Sequence, residues 1–315
     1  MFNAHLDTVF PEGTVAERPF KIEGDRVTGP GCADCKAGVI AILHALKAAR
    51  KEDLDRLAIL VCYNPDEEVS SISSRAWLVE QAKTAKYAIV CEPGRANGGF
   101  VRSRKGRTVW DIAVHGVSAH AGNAPQDGLV HRQASLGSDD NHTIGTVLAA
   151  AHLTIALSAL QDLEGRGTSV TVGVVHGGTV CNTVPDLCTL KIDTRFKSDE
   201  DGEYLKKSIR ELAQKNWGDG ITVEAKIASD SPAMPYTDRT KALVDIVNEA
   251  ARRAGYDATW VDAGGGSDAN KIAAYTIVVD GVAPAGSGFH SAKENLQIPT
   301  IENRVETLKN VLELL

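Results

Sequence analysis

Acidic and imidazole side chains stand directly after several apolar runs of this chain. His5 and Asp7 follow the first run, Asp66, Glu67 and Glu68 the second, and Glu92 the third. Asp34 lies in a glycine-rich turn just ahead of a helical segment, and His290 follows a late strand and its Pro/Gly loop. If the runs are parallel strands, their carboxyl ends converge on one crevice, where open α/β sheets place ligands. Several carboxylates meeting there repel one another unless a cation neutralises them. Imidazole nitrogen and carboxylate oxygen without thiolate suit a divalent ion such as zinc, cobalt or manganese. An acidic triplet alone is usually a solvated charge run; recurrence at successive strand ends is what points to metal chemistry.

The elements that would position these groups can be read from periodicity. Residues 1–4 form a short strand running into "HLDT", and "FKIEGDRVTG" is a β-ribbon turning at Gly24 and Asp25. Over residues 36–51, Val39, Ile40, Leu43 and Leu46 fall on one face, which is helical spacing. "LAILVCYN" is a continuous apolar run, as expected of a strand buried on both faces. A helix through "SRAWLVEQAKTA" and another buried strand, "YAIVCEP", follow. This alternation predicts an α/β layer with a mostly parallel sheet.

Near Lys105 the pattern changes. "RTVWDIAVHGVS", "SVTVGVVHGG" and "CTLKIDTRF" alternate apolar and polar residues, with helical segments at 146–163 and 200–217 among them. That is an α+β signature, a smaller sheet with helices on one face. From Ser231 the helix, Gly-rich loop, strand and helix order resumes, ending in "RVETLKNVLELL". The middle therefore reads as an insertion, giving a discontinuous domain of residues 1–105 and 231–315 and an inserted domain of residues 106–230.

Composition narrows the partners. At 315 residues, the chain suits two domains or one large α/β domain. Its 43% hydrophobic and 24% charged content are those of a globular protein. A net charge of −7 argues against nucleic acid or an anionic membrane as the main partner. No apolar run reaches membrane-spanning length, and no basic region followed by an apolar stretch opens the chain. The six cysteines do not form a disulfide framework and are expected to be reduced thiols in a cytoplasmic setting.

"HLDTV", "GPGCADCKAG", "NPDEE", "CEPG", "GVSAHAG", "GGTVCNTVPD" and "GGGSDA" occur here in the order found in the M20 metallopeptidases. The chain resembles that family over nearly its whole length, most of all its glutamate-carboxypeptidase branch. The resemblance implies a two-zinc exopeptidase or amidohydrolase, with cobalt or manganese as substitutes, acting on a small peptide or N-acyl amino acid. By motif position, His5, Asp34 and Glu92 would hold one metal and Asp34, Glu68 and His290 the other, with Asp34 bridging. Glu67 would be the general base, and Asp7 would fix the tautomer of His5. The inserted domain would be a lid that also dimerises, and His120 of "SAHAG" would reach the partner subunit's site to stabilise the oxyanion. Asn182 and Arg195 would hold the substrate's carboxylate, a planar group matched by a guanidinium fork. Gly264, Gly265 and Gly266 would let backbone approach the substrate closely.

Other readings compete at particular residues. Cys32 and Cys35 form a CxxC before a helix, the spacing of a redox pair or half a zinc ribbon, yet no second CxxC exists and Asp34 lies between them. Arg195 could equally be a surface ion-pair partner, and the three glycines a plain loop. His44, His115, His152 and His176 lie within helical or strand patterns and read as structural. Family members usually carry a long segment before the "HxDT" strand, whereas four residues precede His5 here, so either the reading frame is truncated or the catalytic sheet lacks its edge cover, and every expected ligand is kept in both cases. "LVHRQASLGSDDNHTI" (129–144) reads as an inserted mobile loop, its His131 and His142 as bystanders. Two alternatives stand beside the exopeptidase: a deacylase of the succinyl-diaminopimelate or N-acetylornithine kind, and a non-catalytic binding descendant.

Overall fold

The computed structural model describes residues 1–121 and 145–315; the stretch 129–144, with His131 and His142, lies outside the described residues. The chain divides into two compact units, Met1–Lys105 with Ala233–Leu315, and Gly106–Pro232. Among the described residues no helix is long and apolar enough to cross a membrane.

In the first unit, four parallel strands lie in the order Ile277–Val279, Tyr87–Val90, Phe2–His5 and Val61–Asn64. Their register matters for function. Phe2 pairs with both Val61 and Ile89, and His5 pairs with Asn64. The strands therefore end together, so His5, the turn after Asn64 and the segment after Val90 emerge on one carboxyl edge. A five-stranded mixed sheet, Lys21–Glu23, Arg26–Thr28, Asn295–Gln297, Ala283–Ser287 and Pro93–Gly94, adjoins the same loops. The ribbon expected at Gly24 and Asp25 is its outer hairpin, with Gly24 at φ 63°.

Helices Ala37–Ala48, Asp238–Arg253 and Pro299–Leu314 pack around a core that includes Ile42, Ile89, Phe100, Leu243, Val279 and Leu308. Fully burying a side chain such as Ile42 stabilises by about 1.5–3 kcal/mol.

The helix expected over residues 36–51 is Ala37–Ala48, but large apolar residues do not mark its buried face, and one strand expectation is corrected. The buried face of the Ala37–Ala48 helix is Gly38, Ala41, Ile42 and Ala45, while Ile40 and Leu43 are 52% and 48% exposed. The helix lies so close to the neighbouring chain that a Cβ at Gly38 would collide with the Cys91 carbonyl oxygen. Small residues win that face because they permit the approach, which a count of large apolar residues overlooks. Ile40 instead lines an apolar hollow of about 960 Å³ with Val15, Phe20, Leu296 and Ile301. The corrected strand is Val61–Asn64, which is an edge strand: Cys62 and Asn64 are buried, but Val61 is 37% exposed.

The second unit is an antiparallel sheet ordered Ser169–Gly177, Leu187–Phe196, Gly106–His115 and Thr222–Ser231. Alternation sets its faces. Thr108, Trp110, Ile112 and Val114 are buried with Cys188, Leu190, Ile192 and Phe196. Helices Thr146–Ser158 and Asp199–Gln214 pack on this sheet through Leu153, Leu157, Leu205 and Ile209.

Candidate metal centre

His5 closes its strand almost fully buried. Its Nδ1 donates to Asp7 Oδ1 and to the Asp7 carbonyl oxygen, each at 3.2 Å, which fixes the ring and aims Nε2 at the carboxylates. Nε2 lies 3.1 Å from Asp34 Oδ1 and 3.6 Å from Glu92 Oε1. On the other side of Asp34, His290 Nε2 is 3.3 Å from Asp34 Oδ2 and 3.2 Å from Glu68 Oε2. His290 holds a left-handed backbone, φ 59°, uncommon for a residue with a Cβ and a frequent feature of functional sites.

Asp34 sits in the irregular turn Cys32–Lys36, which follows Gly31 at φ 69°. The turn is held from below by a buried carboxylate. Glu294 accepts the amides of Ala33 and Asp34 at 3.0 and 3.1 Å on Oε1, and that of Gly31 at 3.0 Å on Oε2. The two glutamates after Asn64 are held similarly: Asp7 accepts the Glu67 amide at 3.1 Å and the Glu68 amide at 2.9 Å. Asp7 thus orients the His5 ring and the backbone of the acidic turn at once. Asp66, first of the acidic triplet, turns away to accept the Ser73 and Ser74 amides at 2.7 and 3.1 Å and the Ser74 hydroxyl at 2.5 Å, holding the turn that leads into the Arg75–Thr84 helix.

The charges in this cluster are mutually dependent. Burial would push Asp34 up, but bonds from His290 and His5 hold it well below the usual carboxylate range. Burial and then the Asp34 charge push Glu92 well up. Burial would lower His5, yet the Asp34 bond and the charges of Glu92 and Asp34 raise it to about 10. His290 is raised to about 8, chiefly by Asp34. Carboxylates packed this closely repel one another unless positive charge lies between them.

The donor set fits a cation there. Ligand atoms of His5, Asp34, Cys35 and Glu92 lie within 4.8 Å of one another, as do those of Asp34, Glu68 and His290. All five expected ligands fall in these two groups, which share Asp34. Cys35 was not expected there. Its Sγ donates to the Cys91 carbonyl at 2.9 Å, and burial with the nearby Glu92 and Asp34 charges pushes the thiol well up, which keeps it a neutral, poor ligand.

Glu67 stands in neither group. Burial pushes its carboxyl up to about 7, against the opposing charge of Lys271. A carboxyl balanced near neutrality can both take and return a proton. Beside it lies a network that spacing did not reveal. Lys271, Asp268 and Ser71 are buried, joined by Ser71 Oγ donating to Asp268 at 2.5 Å and Lys271 Nζ donating to Ser71 Oγ at 2.9 Å.

Gly264, Gly265 and Gly266 form the exposed loop after Trp260–Ala263. The buried Arg104, paired with Asp280 at 2.6 Å, donates to the Gly265 and Gly266 carbonyls at 3.1 and 3.4 Å. A Cβ at Gly264 or Gly265 would meet open space, so folding of the loop does not itself demand glycine there.

His120, Asn182 and Arg195 belong to the second unit. The strand Ala119–His120 pairs with Thr183–Val184, and the Ala121 amide donates to the Asn182 carbonyl at 2.9 Å, so His120 and Asn182 are neighbours, both exposed. Arg195, near the end of Leu187–Phe196, pairs with Asp193 at 2.6 Å.

Comparison with known proteins places these features in a family. Residues 1–314 match peptidase family M20/M25/M40. The chain is 30% identical to carboxypeptidase G2 of Pseudomonas sp. (strain RS-16), over 96% of this chain and 70% of that protein. It is 26% identical to a succinyl-diaminopimelate desuccinylase of Gluconobacter oxydans (strain 621H), over 96% and 77%. Among solved structures it is similar to aminopeptidase PepT from Bacillus cereus ATCC 10987, with TM-score 0.76, 22% identity and coverage of 99% and 79%. It is also similar to the M20 family metallo-carboxypeptidase Sso-CP2 from Sulfolobus solfataricus, with TM-score 0.64, 18% identity and coverage of 99% and 84%. The mixed α/β fold and the whole-length match make this chain a member of the M20/M25/M40 peptidase family, and so a metal-dependent hydrolase.

Proposed function

We propose that the chain is a dizinc exopeptidase that hydrolyses an amide bond to release a terminal amino acid from a peptide or N-acyl amino acid. One observation carries this reading: two ligand groups share Asp34, beside a carboxyl, Glu67, that belongs to neither. His5, Asp34 and Glu92 would hold one zinc, and Asp34, Glu68 and His290 the other. Bound there, the ions would supply Lewis acidity and make a water acidic enough to attack at neutral pH.

The chain's own residues do the rest. Glu67 takes the proton of the attacking water and returns it to the leaving amine. Asp7 keeps His5 in the tautomer whose Nε2 faces the site. His120 donates to the developing oxyanion, delivered from a partner subunit's second unit, which serves as lid and dimerisation domain. Asn182 and Arg195 bind the substrate carboxylate, and the open loop at Gly264, Gly265 and Gly266 leaves room for its backbone.

The desuccinylase relative favours a second reading, a deacylase using the same metal residues. A panel of dipeptides, N-acyl amino acids and succinylated diamino acids, run with zinc or cobalt, separates the two by which class turns over. Glu67→Gln should keep its metal and lose several orders of magnitude in rate. Metal-loaded protein inert across the panel would instead favour a binding descendant.

A further inference from the structure

We infer that Lys271 is a positioning residue for Glu67, holding one carboxylate oxygen so that the other faces the reacting water. The inference rests on Glu67 being the base. Lys271 lies in the short helix Asp268–Ile272 with its side chain 6% exposed, an expensive place for an ammonium without partners. Its Nζ is 2.9 Å from Ser71 Oγ, 3.3 Å from Asp268 Oδ1 and 3.9 Å from Glu67 Oε1.

Asp268 does not require this lysine for its hydrogen bonds. Oδ2 already accepts Asn64 Nδ2 at 2.7 Å, and Oδ1 accepts the Ser71 hydroxyl at 2.5 Å. Ser71 spends its one proton on Asp268, leaving its oxygen to accept from the ammonium. An ammonium has three N–H groups. Ser71 and Asp268 engage two, and among the described residues Glu67 is the other acidic group within ion-pair distance. At 3.9 Å the pair is too long for a direct hydrogen bond and short enough for attraction, or for one bridging water. Glu67 is thereby oriented without being clamped, as a group that must both collect and deliver a proton requires. The anchor is rigid, because Asn64 ends a sheet strand, Ser71 is fully buried and Asp268 opens a helix capped by Ser267.

The test uses the zinc-loaded full chain and the panel substrate turned over fastest. Lys271→Met, of similar length and uncharged, should lower kcat roughly 10–100-fold, the range expected when a reacting group is misplaced. KM should stay within about twofold by the same reasoning, and zinc content should be unchanged. Lys271→Arg should recover most of the loss. In a Glu67→Gln background, Lys271→Met should have no further effect, because nothing remains for it to position. If Lys271→Met does not fold, Lys271→Gln takes its place with the same expectations. An unchanged kcat, a loss that tracks melting temperature or zinc content, or full additivity with Glu67→Gln would overturn the inference. Near-normal turnover by Glu67→Gln alone would instead remove Glu67 as base, and the two failures are thus distinguishable.

Discussion

The amide of Asp34 donates to the buried carboxylate of Glu294 at 3.1 Å, and the Gly31 and Ala33 amides join it. One carboxylate thus sets the backbone that aims the residue common to both ligand groups. Glu294→Gln keeps the volume but turns an amide –NH2 towards backbone donors. Leaving buried amides unsatisfied should cost about 1–3 kcal/mol in denaturant unfolding of the metal-free chain. Zinc affinity should fall as well, measured by competition with a chromogenic chelator. Unchanged affinity would show that Asp34 holds its position without Glu294.

Asp34→Ala should lose both metals, whereas His5→Ala should chiefly weaken one, because Asp34 belongs to both groups and His5 to one. Elemental analysis of each purified variant after zinc reconstitution checks this. Two ions retained by Asp34→Ala would rule out the bridge.

Stability should depend on Asp66 in acid. Burial opposes it, but the Ser74 hydroxyl and the Ser73 and Ser74 amides hold its carboxyl below the ordinary value. A depressed folded pKa contributes stability above the unfolded value of about 3.9 and loses it as pH falls through the folded value. Asp66→Asn should therefore unfold at lower denaturant than the parent at pH 7, by about 1.5–3 kcal/mol, the range for hydrogen bonds to a charged group. The gap should narrow as pH drops below that window. A gap constant with pH would mean that the charge contributes nothing.

His120→Ala should lower the rate by roughly 10²–10³-fold, the usual cost of an oxyanion donor, with metal content intact. Mixed with Glu67→Gln, it should regain activity if His120 serves the partner subunit, since one hybrid site then receives both functional residues. A mixture that exchanges subunits and stays inactive would exclude action in trans.

The clustering of His5, Glu68 and Glu92 was legible because parallel strands export their last residues to one edge, and the register of Phe2–His5 with Val61–Asn64 enforces it. The ordered motifs supplied the family. Glu294, Lys271 and Asp268 were not legible: an acidic or basic letter in a polar stretch looks like surface charge, and only tertiary packing buries it. Cys35 was weighed only as half of a CxxC, and its place beside His5, Asp34 and Glu92 comes from packing. The Ala37–Ala48 helix misled for a related reason, as hydrophobicity favours Ile40 and Leu43 while close packing selects Gly38, Ala41 and Ala45.

That outward-facing Ile40, with Val15 and Phe20 around the hollow, has a consequence at the bench. A fully native preparation should brighten fluorescent dyes such as anilinonaphthalene sulfonate, a response ordinarily taken as the mark of a loosened core. Dye uptake is then a poor melting signal for this chain, and kosmotropic salts that strengthen apolar burial should drive self-association before they improve the fold. Salting out should therefore bring the native chain down early, and a low-salt buffer should keep it dispersed.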